Sequence, residues 1–267
     1  MAKQMFLRSG FTAVPVEKTK RYKTMNVKSI MAIGAATLCS AVFADITSAN
    51  VVGYKAEALQ EGATMMTPCF VNVADAKAGV DLLDLVAGGD YASGDINVQT
   101  LTSAGITDKS YAFKKDRKGN WFWQDVDTNV TIERGDVTFS QGDGLWVAGV
   151  DNASLTSAGA VSTDDTTIPL QDGATACGNM TPVNLDLTSI IPGGTYGSGD
   201  INIQTLTSAG ITDRSFAFKK DRKGNWFWQD VDTNETIAEG DVTFAPGAGL
   251  WVAAVDGATI TIPGPTL

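Results

Sequence analysis

The residues best suited to chemistry lie in one short acidic segment that occurs twice. Asp125, Asp127 and Asn129 alternate with Val126 and Thr128, and Asp230, Asp232 and Asn234 repeat the pattern. Oxygen donors at the first, third and fifth positions are those of a calcium loop, because a hard cation takes carboxylate and amide oxygens. Thr131 and Asp136 fall at the seventh and twelfth positions of such a loop, as do Thr236 and Asp241 in the second copy. The sixth position, glycine in calcium loops, is Val130 or Glu235, and the last ligand is Asp instead of Glu. Glu133 at the ninth position becomes Ala238. The alternative is a hairpin turn capped by Asx side chains. Calcium is the single cofactor the segment suggests.

Directly upstream stand the paired tryptophans Trp121 and Trp123, repeated as Trp226 and Trp228. On a strand, residues two apart share a face, so each pair points one way and the intervening Phe122 or Phe227 the other. Facing outward beside Asp and Asn, the pairs would form a platform for stacking sugar rings, since an indole offers a flat apolar face. Facing inward, they are core. Aromatic residues on both faces of the strand favour burial of at least one face. Trp146 and Trp251 complete the set.

A third feature is basic. Lys114, Lys115, Arg117 and Lys118, copied at 219–223, crowd a turn on an acidic chain. Such a tip suits an acidic partner surface, or it is a solvated turn whose charges keep the hairpin edge from pairing.

What is absent matters equally. There is no histidine, which removes Ser-His-Asp and Cys-His nucleophiles and His-ligated zinc. Two cysteines, Cys69 and Cys177, follow the N-terminal segment. In an oxidising compartment an even count suggests one disulfide, and the other reading is two separate buried thiols. Paired carboxylates for glycoside hydrolysis have ample material, but no Asp or Glu is set apart, so an enzyme is the least favoured class.

These candidates sit on a repeat. Gly94 to Asp151 aligns without gaps to Gly199 to Asp256, and 48 of the 58 positions are identical. Upstream, Leu59 to Thr64 matches Leu170 to Thr175, and Met66-Thr67-Pro68 matches Met180-Thr181-Pro182, with the second copy shortened. Within a copy the period is that of strands, as in Ile96-Asn97-Val98-Gln99. Ser110 to Phe113 and Trp121 to Trp123 flank a glycine-containing turn and read as a hairpin. Only residues 81–86 and their counterpart at 185–191 suggest a helical turn. Short strands between Gly, Asn and Asp turns indicate an all-β fold of two tandem homologous modules, each β-sandwich or barrel-like.

The first forty-four residues have another character. A basic stretch to Lys28 precedes the apolar run Ile30 to Leu38 and the small residues before Ala44. This is the pattern of a secretory signal peptide, with Met25 as an alternative start. The run is too short to span a bilayer, which needs about 20 apolar residues. The chain thus divides into a signal peptide at 1–44, a first module at 45–160 and a second at 161–267.

The whole chain carries a formal net charge of −10. The signal segment holds seven of the 20 Lys+Arg and one of the 30 Asp+Glu, so its removal leaves −16. That disfavours nucleic acid and anionic membrane surfaces as partners, because neutralising phosphates requires a positive face.

Ala49-Asn50-Val51-Val52-Gly53-Tyr54 and the Gly-Leu-Trp-Val near each module's end resemble a group of exported bacterial β-repeat proteins. In these a signal peptide is followed by an ANxVGY-type strand, and modules end in Gly-(Phe/Leu)-Trp-Val. The resemblance implies an extracellular or cell-surface location and supplies no catalytic residues. The expectation is therefore a secreted, non-catalytic structural protein. It would assemble with itself into an oligomer or filament, head to tail, by β-augmentation between its first and last strands. Alternatives are a polysaccharide-binding protein using the paired tryptophans, a protein docking on other cell-surface components, and a calcium-stabilised extracellular module.

Overall fold

Runs of β-branched and aromatic residues, broken by Gly, Asn and Asp, fold into twenty short strands in the computed structural model, which describes residues 52–71 and 79–265. The expected signal segment lies outside the described residues. The first ten strands are β1 (Val52–Ala58), β2 (Gly62–Met66), β3 (Val80–Asp81), β4 (Val86–Gly89), β5 (Asn97–Leu101), β6 (Thr107–Lys115), β7 (Trp121–Asp125), β8 (Thr138–Phe139), β9 (Leu145–Gly149) and β10 (Ala153–Ala160). The second ten repeat them as β11 (Thr166–Pro169), β12 (Gly173–Gly178), β13 (Leu185–Asp186), β14 (Ile191–Gly194), β15 (Asn202–Leu206), β16 (Thr212–Lys220), β17 (Trp226–Asp230), β18 (Thr243–Phe244), β19 (Gly249–Ala254) and β20 (Ala258–Ile262).

Each set builds the same three sheets. A five-stranded sheet runs β2-β9-β5-β6-β7 in the first and β12-β19-β15-β16-β17 in the second. A three-stranded sheet runs β1-β10-β4 and β11-β20-β14, and the short pairs β3-β8 and β13-β18 complete each set. Among the described residues no sheet closes on itself, so of the two expected forms the open, sandwich-like one is observed. The side chains between the sheets alternate with outward ones. Val98, Leu145, Val147 and Leu155 are fully buried in the first set, as are Ile203, Leu250, Val252 and Ile260 in the second. The two cores share no residue. Burying one such side chain contributes about 1.5–3 kcal/mol.

Among the described residues, helical structure is limited to single 3-10 turns at Leu82–Asp84 and Leu187–Ser189. Asp81 and Asp186 cap them by accepting from Leu83 N at 2.8 Å and Thr188 N at 2.7 Å. The same carboxylates accept from Gly135 N and Gly240 N, tying each turn to the β7–β8 and β17–β18 connections.

The C-terminal strand departs from expectation. β20 lies between β11 and β14, with Ile260 paired to Ile168 on one side and Pro192 on the other. Both its edges are filled, because burying Ile260 and Ile262 requires a sheet around them. It is no free strand awaiting a successor. The proposed equivalence of Met66 with Met180 also shifts. Met66 pairs with Leu145 as Cys177 pairs with Leu250, so Cys177 takes the place of Met66.

The modules meet reciprocally along the edge strands β2 and β12 of their five-stranded sheets. Ala63 N donates to Ser208 O at 3.1 Å, and Ala174 N donates to Ser103 O at 3.0 Å. Met66 bridges to Ala248, and Asp143 to Cys177. Glycine permits this approach. A Cβ on Gly144 would lie 2.6 Å from Cys177 N, and one on Gly249 would lie 2.6 Å from Met66 N. Gly62 and Gly173 adopt φ of 100° and 95° at the same contact, a region side-chain-bearing residues avoid.

Candidate functional site

The acidic segment folds as a turn at the end of β7. Asp125 Oδ1 accepts from Asp127 N at 3.0 Å and Thr128 N at 2.8 Å, while Asn129 takes φ of 60°. The second copy repeats this, with Asp230 accepting from Asp232 N and Thr233 N, both at 3.0 Å. This is an Asx-capped turn. The backbone N–H of Thr128 or Thr233 above all holds the Asp125 and Asp230 carboxyls below the usual carboxylate range. Asp136 and Asp241 close separate turns by accepting from Glu133 N and Ala238 N, each at 2.9 Å. Among the described residues no three Asp, Glu or Cys side chains gather as a metal would need. Asp125, Asp127 and Asn129 lie on one turn and Asp136 on another, and Asp230, Asp232, Asn234 and Asp241 repeat that division. Backbone N–H groups engage one carboxylate oxygen each of Asp125, Asp136, Asp230 and Asp241.

Within each tryptophan pair one ring is core and the other reaches solvent, Trp226 being 37% exposed. Trp123 and Trp228 are 4% and 3% exposed and belong to the two cores. These two rings are therefore core and offer no face to a sugar. Trp121 and Trp226 lie nearer the mouth, but their rings are engaged. Phe113 stacks on Trp121 at 5.1 Å and 7°, Tyr91 meets its edge, and Lys115 Nζ lies over the ring at 5.2 Å. Phe218, Tyr196 and Lys220 repeat these contacts on Trp226. Part of the basic tip therefore serves the aromatic cluster. Asp116 and Asp221 organise the same hairpin turns. Hydrogen bonds from Asn120 and Asn225 hold both carboxyls below their ordinary range.

Cys69 and Cys177 are free thiols, not a disulfide. Each is buried in its own setting. Cys69 Sγ lies against the carbonyls of Thr67 and Asn179, and Cys177 packs inside the second core. Burial pushes their pKa values up to about 11 and about 12, so neither is a ready nucleophile.

The feature that sequence reading passed over lies between the modules. A cleft of about 450 Å³ is lined from both sides by Trp146 and Trp251, Thr107 and Thr212, together with Gln204. Each indole reaches across the module boundary: a Cβ on Gly105 would lie 3.5 Å from Trp251 Cζ2, and one on Gly210 would lie 3.5 Å from Trp146 Cζ2. Gln99 and Gln204 stand beside these tryptophans on the neighbouring strand. Their Oε1 atoms accept from Thr107 Oγ1 and Thr212 Oγ1, each at 3.2 Å. The signal was present in Leu145-Trp146-Val147. With Leu145 and Val147 buried, a period of two sends Trp146 to the outer face.

No helix among the described residues is long and apolar enough to cross a membrane. No protein-family model matches the chain, and no curated protein matches it.

Proposed function

We propose that this is a secreted or cell-surface, non-catalytic structural protein whose modules assemble with copies of themselves. The observation that carries the reading is the reciprocal module contact, in which the same segments of each copy meet. A module that pairs with its own duplicate inside one chain is a building block by construction.

The outer faces of the three-stranded sheets supply a second surface. On β1-β10-β4 it presents Tyr54, Ala56, Thr156 and Val86. On β11-β20-β14 it presents Thr167, Thr259, Thr261 and Ile191. None of these is charged, although 19% of the chain is. Tyr54, Val86 and Ile191 are 80%, 60% and 59% exposed. One such face per module gives each chain two sticking points, enough to propagate a layer or filament. With both edges of β20 filled, assembly runs through these faces in preference to a head-to-tail strand exchange.

Light scattering on the mature protein tests the reading. Oligomers that grow with concentration are expected, and Tyr54→Lys combined with Ile191→Lys should reduce them. A strict monomer at high concentration would overturn it.

A further inference from the structure

We propose that the cleft between the modules binds a neutral oligosaccharide, with one sugar ring against each of Trp146 and Trp251. This goes beyond the structural role and does not depend on it.

The cleft has the makings of a saccharide site. Its volume of about 450 Å³ falls within the range of small-molecule pockets. Two indoles, each half-buried, provide flat apolar surface for the C–H faces of sugar rings. The Thr107 and Thr212 hydroxyls and the Gln204 carboxamide flank them. Because the Gln204 oxygen already accepts from Thr212, its NH2 group is left to donate to a sugar hydroxyl. In contrast to Trp121 and Trp226, neither Trp146 nor Trp251 takes part in an aromatic pair or a cation–π contact among the described residues.

Charge selects the class of glycan. No ionisable side chain lines the cleft. The surrounding chain carries net −10, so an anionic glycan would enter against the field without a cation to meet it. The repeat sets the length. Equivalent groups from each module form two half-sites facing one space, which suits a ligand of repeating units more than a single sugar. Glycine keeps that space open, since side chains at Gly105 and Gly210 would fill the approach to the opposite indoles.

The test is calorimetric titration of the mature protein with cellohexaose, chitohexaose and maltohexaose, followed in parallel by tryptophan fluorescence. At least one should bind, with one site per chain. Trp146→Ala or Trp251→Ala should weaken that binding tenfold or more, while Trp121→Ala and Trp226→Ala leave it within about twofold. If the alanine variants fail to fold, Trp251→Phe and Gln204→Glu test the same point, and Gln204→Glu should weaken binding by replacing the NH2 donor with a carboxylate oxygen. Binding by none of the three, two sites per chain, or loss on Trp121→Ala would sink the proposal. So would tighter binding of oligogalacturonate than of any neutral probe.

Discussion

Between its two modules the protein exchanges its ion pairs while keeping its backbone. In the first, Arg134 reaches Asp84 at 2.9 Å; in the second, Arg214 reaches Asp230 at 3.3 Å and lies over the Phe216 ring at 4.7 Å. The equivalents, Glu239 with Ser189 and Lys109 with Asp125, form no such pair among the described residues. Yet strand order, pairing register and turn geometry coincide across both copies. What is held constant is the core, the Asx-capped turns and the glycine-mediated contact. What is free to vary is exposed charge, because surface ion pairs contribute only about 0–1 kcal/mol.

A sharper difference lies in the drifted half. In the second module Asn179 is fully buried and donates Nδ2 to the carbonyls of Val183, Phe244 and Ala245, while Thr181 donates to its Oδ1. The first module has Pro68 at that place and ties its end by Val71 pairing with Ala160. Lys55 then spans the boundary, donating to Glu57 and to Pro246 O. The two ends are closed by unlike means around like cores.

The largest effects should come from those cores. Trp123→Ala and Trp228→Ala should each cost about 3–5 kcal/mol, by cavity formation and lost burial. Because the cores share no residue, each variant should split the calorimetric melt into an early and a late transition. A single shifted transition would show that the interface makes the two modules one cooperative unit.

Next come the paired glycines. Gly144→Val and Gly249→Val should destabilise alike, by about 1–3 kcal/mol each, since both force a side chain into the facing backbone. Unequal losses in thermal melts would show that the contact is reciprocal in shape but not in energy.

Acid should act on both modules together. Asp116, Asp125, Asp221 and Asp230 have carboxyls held below their unfolded values, so they favour folding above the ordinary carboxylate pKa of about 4 and lose that contribution as pH falls through the lower folded values. The melting temperature should be flat from neutral pH to about 5 and then decline. The same decline in a variant carrying Asp125→Asn and Asp230→Asn would remove these turns from the explanation.

The smallest effect tests the comparison directly. Arg214→Lys gives the second module the residue of the first and should change stability by less than about 0.5 kcal/mol in denaturant unfolding. A larger loss would mean that Arg214 stacking on Phe216 compensates for the missing tyrosine hydroxyl.

Much of this was legible in the residues. The duplication, the strand class, the β6–β7 hairpin and the single helical turns follow from local pattern: turn residues, a period of two and identity between copies. The Asx turn was also present as an alternative, since Asp and Asn cap their own backbone whether or not a cation comes. Local pattern could not say which face of Trp121-Phe122-Trp123 lies inside, because aromatic residues occupy both. Nor could it say that Cys69 and Cys177 stay apart, or that β20 would be a central strand, because those depend on which strands become neighbours. The cleft between Trp146 and Trp251 was furthest from reach, since it exists only where the two modules meet. Sequence determined the module, through short-range propensity and alternation. Tertiary structure alone decided how two copies of it close on each other, because that contact is made of backbone approaching backbone at glycines and leaves no periodic mark.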